Sequence, residues 1–99
     1  MEIKKLAVAG TLESSDAQVT IEPNATGIEF SLESSVINQY GRQIKAVVLD
    51  TLKNLDVQNA SIRVVDKGAL DCTIKARVEC AVHRAAEQNK NFAWGGAIK

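Results

Sequence analysis

The alternation of apolar and polar residues in the first third of the chain predicts β-strands. The apolar members of this alternation are Val19, Ile21, Ile28, Phe30 and Leu32. A period of two residues is typical of strands with one buried face. Turn-forming residues from Pro23 to Gly27 separate the two runs. We therefore predict an antiparallel hairpin over about residues 17–33, with residues 6–9 as a further short strand or an edge segment.

A longer periodicity, in steps of three and four residues, follows the predicted hairpin. Its apolar members are Ile37, Tyr40, Ile44, Val47, Val48, Leu52 and Leu55. This spacing places one apolar face on an amphipathic helix. Ser34 or Ser35 supplies the N-cap, and the polar residues from Asn54 onward end the helix.

The pattern after residue 60 first predicts a strand, and further along it fits either a strand or a helix. Residues 61–65 predict the strand, and residues 66–68 its exit turn. Beyond the turn, residues 72–82 alternate strictly, as in a strand. A helical stripe is also present, formed by Leu70, Ile74, Val78, Ala81, Val82 and Ala85. A strand of this length would exceed the usual ~5–6 residues, and the alanines favour a helix, so we predict a helix over about residues 69–86.

These elements predict an α+β fold, in which a small antiparallel sheet is packed on one face by two helices in a single domain, residues 1–99. The core rests on aliphatic residues, because aromatic residues make up only 4% of the chain. Two of the aromatics, Phe92 and Trp94, lie in a polar C-terminal tail. They either fold back onto the domain or dock on a partner.

The charge balance excludes several classes of partner. Twelve basic and twelve acidic residues cancel, so no net field attracts the chain to nucleic acid or to an anionic membrane. No apolar run approaches the ~20 residues that span a bilayer, and the N-terminus does not read as a secretory signal. We therefore expect a cytoplasmic, reduced protein.

Candidate catalytic chemistry is sparse. His83 is the single histidine, and a surface or capping role suits it better than general-base catalysis. Cys72 and Cys80 lack metal-type spacing, and we interpret them as buried structural thiols. The chain has no metal-ligand set and no glycine-rich phosphate-binding motif. The sequence therefore predicts a protein that is not an enzyme.

The stretch from Ala9 to Asp16 predicts a polar loop between two strands. Two interpretations follow from its residues alone. Ser15 and Asp16 can hydrogen-bond the backbone of an ordinary polar turn. Alternatively, a serine in such a loop offers an accessible hydroxyl to another enzyme.

The same stretch resembles the N-terminal motif of the citrate lyase acyl carrier protein (gamma subunit) family. That motif reads A-V-A-G-T-L-E-S, then Gly or Ser, then Asp, and residues 7–16 read AVAGTLESSD. Further segments also resemble this family, at near-constant spacing. They are residues 34–36 (SSV), 39–41 (QYG) with Ile44, 66–72 (DKGALDC) and 76–79 (ARVE).

The resemblance implies a covalent prosthetic group on a serine. In this family, a phosphoribosyl-dephospho-CoA group is joined by a phosphodiester to the serine that matches Ser14. Ser15 occupies a position where relatives often have Gly. The resemblance thus assigns the attachment to Ser14.

Four neighbours are expected to support the attachment loop. Gly10 gives the backbone freedom to project the serine, and Leu12 pins the turn to the core. Glu13 and Asp16 keep an anionic arm extended by like-charge repulsion. These roles are expectations for the structure to test.

The resemblance also implies partners and a place in a reaction. The arm carries acetyl and citryl thioesters between the alpha (acyl transferase) and beta (citryl lyase) subunits, while citrate is cleaved to acetate and oxaloacetate. A separate prosthetic-group transferase attaches the arm. Two alternatives stay open: a carrier of the malonate decarboxylase type, and an unmodified α+β interaction module.

Overall fold

The computed structural model describes residues 2–34 and 37–86, with the backbone alone for residues 37–40. Of the two predicted N-cap residues, Ser34 belongs to a strand and Ser35 lies outside the described residues, as does the tail with Phe92 and Trp94. The elements are β1 (Ala7–Gly10), β2 (Ala17–Glu22), β3 (Ile28–Ser34), α1 (Ile37–Asn54), β4 (Ala60–Asp66) and α2 (Asp71–Ala85).

The four strands form one mixed sheet in the order β1-β2-β4-β3. Strands β1 and β2 pair antiparallel as a hairpin, and β2 also pairs antiparallel with β4. Strand β3 runs parallel to β4. Parallel neighbours need a crossover connection, and α1 provides it. The chain is therefore a β-hairpin followed by a β-α-β unit and a final helix.

The predicted fold class is confirmed, but the predicted strand pairing is wrong. Residues 17–33 do not form a hairpin, because β4 lies between β2 and β3. The turn-forming residues from Pro23 to Gly27 do reverse the chain, because β2 runs antiparallel to β4 and β3 parallel to it. However, they lead the chain past β4 to the sheet edge instead of pairing β3 with β2. The sheet is therefore mixed rather than wholly antiparallel. Period-two patterning identifies strands, but it carries no information about their neighbours.

Both helices pack on one face of the sheet. On that face, Val19 lies opposite Val64, and Ile21 opposite Ile62, while Phe30 pairs with Ile62 from the parallel side. Helix α1 supplies Ile44, Val48 and Leu52 to this layer. The largest fully buried aliphatic side chains are Val19, Ile21, Val48, Leu52, Ile62, Val64, Ile74, Val78 and Val82. The opposite face is polar, with an exposed Arg63–Glu33 ion pair at 3.0 Å.

The ambiguous segment after residue 70 is a helix, as predicted. Its buried residues are Ile74, Val78, Ala81, Val82 and Ala85, which are five of the six members of the predicted stripe. The sixth, Leu70, is 71% exposed. The prediction of buried thiols is wrong for Cys72, which is exposed, while Cys80 is partly buried. Cys72 lies in the first turn of α2, outside the set of buried residues of that helix.

Helix α1 ends at Asn54, as predicted, and its C-terminus is capped by the backbone. The amide of Val57 donates to the carbonyl of Leu52 at 2.9 Å, and that of Asp56 to Lys53 at 3.0 Å. Asp56 takes a positive φ of 58°. This pair of bonds around a left-handed residue is a Schellman motif, which satisfies the last carbonyls of a helix.

The central position of β4 predicts where the fold is most sensitive. Ile62 is 1% exposed, and its neighbours on both sides are apolar, so Ile62→Ala leaves a cavity. We expect a loss of about 2–5 kcal/mol in the free energy of unfolding, measured by urea denaturation. Leu70→Ala, at an exposed site, is the control and changes stability by less than about 0.5 kcal/mol. Equal losses for the two variants would contradict this packing.

Candidate functional site

The loop between β1 and β2, residues 11–16, contains the predicted serine at its tip. The amide of Asp16 donates to the carbonyl of Glu13 at 3.1 Å, and Ser15 has φ 68°. A positive φ at the third residue of a four-residue turn is the mark of type II. Ser14 is therefore the second residue of the turn. Its side chain is exposed, and its hydroxyl makes no hydrogen bond to any residue that the structure describes.

The turn is fastened to the end of β4 by two backbone hydrogen bonds. The Ser15 amide donates to the Lys67 carbonyl at 2.8 Å, and the Lys67 amide donates to the Asp16 carbonyl at 2.8 Å. A left-handed residue other than glycine costs roughly 1–2 kcal/mol, and these bonds hold Ser15 in that conformation. Glycine adopts this conformation without that cost.

The Asp16 carboxylate is the centre of the loop's hydrogen bonding. Its Oδ2 accepts from the Thr11 hydroxyl at 2.5 Å and from the Thr11 amide at 3.2 Å. Its Oδ1 accepts from the Ala17 amide at 2.7 Å. The Thr11 oxygen in turn accepts from the Glu13 amide at 3.2 Å. One carboxylate therefore connects both stems of the loop to the turn.

Arg77 on α2 completes this arrangement from outside the loop. Its Nε donates to Asp16 Oδ1 at 3.0 Å, and its Nη2 donates to Oδ2 at 3.1 Å. Such a two-pronged contact between guanidinium and carboxylate fixes orientation as well as distance. The aliphatic part of Arg77 passes close to Gly10, where an added Cβ would lie 3.0 Å from Arg77 Cδ. Arg77 therefore binds one stem of the loop at Asp16 and lies beside the other stem at Gly10.

These donors lower the pKa of the Asp16 carboxyl well below its usual range. The Thr11 hydroxyl makes the largest contribution, followed by the side chain of Arg77 and the backbone amide of Ala17. A carboxylate accepts all of these hydrogen bonds only when it is ionised, because protonation turns one of its oxygens into a donor. The loop geometry therefore favours the charged form.

Gly10 is required by contact as well as by conformation. Its φ is 89°, and a Cβ at this position would lie 1.9 Å from the carbonyl oxygen of Ala17. Real Cβ atoms do not approach an oxygen so closely, so any side chain here must displace the β1–β2 backbone. The prediction that Gly10 supports the loop through backbone freedom thus gains a second, steric reason.

Two of the predicted supporting roles need correction. Leu12 is 53% exposed and therefore does not pin the turn to the core. Asp16 does not present its charge to solvent as a repelling group. Its carboxylate is turned into the loop and paired with Arg77. Glu13 is exposed beside Ser14 and retains the predicted placement.

Sequence reasoning identified Asp16 but missed its partners. Thr11 could have been found, because a threonine two residues before a turn often hydrogen-bonds the local backbone. Arg77 lies 61 residues further along the chain, and no local pattern links the two. The co-occurrence of the segments at residues 7–16 and 76–79 was the available signal. It indicated a family but not a contact.

Other kinds of site are not seen in the described part of the chain. Within residues 2–34 and 37–86, no group of three or more His, Cys, Asp or Glu side chains is placed to hold a metal ion. Over the same residues, no helix has both the length and the apolar character to cross a membrane.

Comparison with known proteins defines the class. The family model "Malonate decarboxylase delta subunit (MdcD)", an acyl carrier family, matches residues 4–85. A solved malonate decarboxylase hetero-tetramer from Pseudomonas, in complex with malonate, contains a chain with TM-score 0.65 and 22% identity. That match covers 84% of this chain and 86% of the other. At this identity, it supports the fold alone.

Curated relatives are more similar in sequence. The citrate lyase acyl carrier protein of Streptococcus mutans is 60% identical over 88% of this chain and 86% of the relative. That of Lacticaseibacillus casei is 53% identical over 95% and 92%, and that of Fusobacterium nucleatum 56% over 90% and 96%. These matches define a carrier protein rather than a catalytic one. The chain belongs to the citrate lyase acyl carrier protein family.

The contact at Gly10 predicts a stability difference between two glycines. Gly68 has nearly the same φ, 92°, but open space around the added Cβ. Gly68→Ala should cost only the left-handed strain of about 1–2 kcal/mol. Gly10→Ala should cost about 1–3 kcal/mol more, because the backbone must also move. Chemical denaturation of both variants measures this difference, and equal costs would show that the close approach to Ala17 is absent.

The hydrogen bonds to Asp16 predict its titration. A carboxyl whose pKa is lowered by folding stabilises the native state above its unfolded pKa, and the stabilisation is lost as pH falls through the folded pKa. Asp16 should therefore stay ionised at a pH equal to the ordinary Asp pKa of about 3.9, as measured by its carboxyl ¹³C shift. Thr11→Val removes the strongest donor and should raise the pKa. A wild-type midpoint at the ordinary value would contradict the network.

Proposed function

We propose that Ser14 is the attachment point of a covalent phosphoribosyl-dephospho-CoA arm, and that the chain is the carrier subunit of a citrate lyase. The observation that carries this proposal is the position of Ser14. It lies exposed at the tip of an anchored turn, and its hydroxyl is not engaged by any described residue. An attachment point has to meet both conditions, because a modifying enzyme must reach the oxygen.

The surroundings of Ser14 fit a phosphodiester link. A phosphodiester is anionic, so an unpaired carboxylate beside it would be unfavourable. The Asp16 carboxylate is already paired with Arg77 and faces into the loop. Glu13 remains as the exposed acidic neighbour. The pairing of Asp16 supports attachment at Ser14 and replaces the expectation that Asp16 repels the arm, while Glu13 keeps the repelling role that was expected of it.

The residues of the chain hold the arm and expose it to partner proteins, while the arm supplies the chemistry. When attached, the arm would provide a terminal thiol that carries an acyl group as a thioester. Ser14 provides the oxygen, and the turn keeps it away from the body of the fold. Tethering raises the effective concentration of a carried group at nearby active sites. This role requires no acid, base or metal from the carrier itself.

Attachment needs help from another protein. An isolated serine hydroxyl is a weak nucleophile at neutral pH, and no histidine lies within the 11–16 loop to activate it. We therefore infer a separate prosthetic-group transferase. The further partners we propose are the alpha (acyl transferase) and beta (citryl lyase) subunits, in the cytoplasm, where citrate is cleaved to acetate and oxaloacetate.

A second candidate is the carrier of a malonate decarboxylase. The matching family model, that of the malonate decarboxylase delta subunit (MdcD), favours it. The sequence identities weigh the other way, since the citrate lyase relatives reach 51–60% against 22% for the malonate decarboxylase chain. Reconstitution with each set of subunits, assayed with citrate and with malonate, separates the two.

Replacement of the serine tests the proposed attachment. Ser14→Ala, expressed with the transferase, should fold and gain no mass, and its complex should show no citrate cleavage. Intact-mass measurement and peptide mapping across residues 6–22 report the modification. Ser15→Gly is the matched control, because Gly accepts the positive φ of Ser15. It should be modified and active.

The two serine variants also decide between the neighbouring hydroxyls. Both Ser14 and Ser15 are exposed, so exposure does not choose between them. A modified Ser14→Ala chain, or an unmodified Ser15→Gly chain, would refute the assignment to Ser14.

A further inference from the structure

We propose that Arg77 is a positioning residue for the modification of Ser14: through Asp16 it sets where the serine hydroxyl is presented to the transferase. This inference rests on the proposed function, because it presumes that Ser14 is modified. It adds a role for a helix residue that does not belong to the attachment loop.

Ser14 depends on the backbone for its position. Its side chain makes no hydrogen bond to any described residue, so the turn alone determines where the oxygen lies. That turn is fastened at two places. Lys67 holds its backbone from the side of β4, and Arg77 holds it from the side of α2.

The contact between Arg77 and Asp16 is two-pronged. Two guanidinium nitrogens bind the two oxygens of Asp16, at 3.0 and 3.1 Å. A planar fork restrains both rotation and translation of the carboxylate, which a single contact does not. The Arg77 stem also lies beside Gly10, at the other stem of the loop. The side chain that binds Asp16 at one stem of the loop therefore also passes beside the other stem.

Arg77 affects the position of the loop more than the stability of the fold. The Arg77 side chain is 38% exposed, and partly exposed ion pairs contribute little to global stability. The core beneath α2 is built from other residues, such as Ile74 and Val78. If Arg77 is removed, Thr11, Ala17 and Lys67 still bind Asp16. The loop then persists, but its restraint toward α2 is lost.

A misplaced hydroxyl should react slowly. Displacement of a reacting atom by about 1 Å can reduce a rate by up to about 100-fold. We therefore expect Arg77→Met to lower the maximal rate of modification by roughly 10–100-fold. The carrier concentration at half-maximal rate should change much less, because the exposed surface is otherwise the same. Arg77→Lys retains the charge without the fork and should give an intermediate rate.

The test uses the full apo chain with the transferase and the arm precursor, and the modification is followed by intact mass over time. Arg63→Met is the matched control. It also removes an arginine paired with a carboxylate at 3.0 Å, but on the opposite face of the sheet. It should be modified at the wild-type rate. A wild-type rate for Arg77→Met would overturn the inference.

A second readout does not involve the transferase. The Ser15 amide, bonded to Lys67, should exchange its hydrogen faster in Arg77→Met, while core amides such as that of Val64 keep wild-type protection. Faster exchange throughout the core would show a merely structural role and would also overturn the inference. If the wild-type chain itself gains no mass at Ser14, the proposed function fails. If wild type and Arg77→Met are modified equally, only the positioning role fails.

Discussion

The Asp16 carboxylate is the interaction on which the displayed loop depends. It accepts hydrogen bonds from Thr11 in the loop, from Ala17 at the start of β2 and from Arg77 on α2. Each of these donors stabilises the ionised form, and together they lower the pKa of the carboxyl. The Asp16 carboxylate, which the sequence predicts to lie at the surface, thus holds the loop together through its hydrogen bonds.

The hydrogen bonds that hold the loop join parts of the chain that are far apart in sequence. The hairpin supplies the loop, the exit of β4 supplies the Lys67 backbone, and α2 supplies Arg77. The sheet and helices bring them together because β4 lies next to β2 and α2 packs over the hairpin. The α2–hairpin contact is supported further along by Arg84, whose Nη1 donates to the Val8 carbonyl at 2.6 Å. The fold therefore holds one exposed turn in a fixed position, as a carrier protein requires.

The sequence predicted the helices and strands more accurately than it predicted which of them lie next to one another. Both helices and all four strands were identified, because periodicity reports which face of an element is buried. The pairing of β3 was missed, since parallel pairing through α1 leaves no local mark. At the loop, Gly10 was expected to need backbone freedom and has a positive φ, while Leu12 was assigned to a core that it does not reach. Arg77 could not be assigned a role from patterning, because its contact with Asp16 exists only after the chain has folded.

The central claim is that the Ser14 oxygen carries the arm in a working complex. The most direct measurement is peptide mapping, by mass spectrometry, of the carrier isolated from an active citrate-cleaving complex. The account predicts that the peptide covering residues 6–22 bears the mass of a phosphoribosyl-dephospho-CoA phosphodiester, localised to Ser14. An unmodified Ser14 in a complex that still cleaves citrate would contradict it.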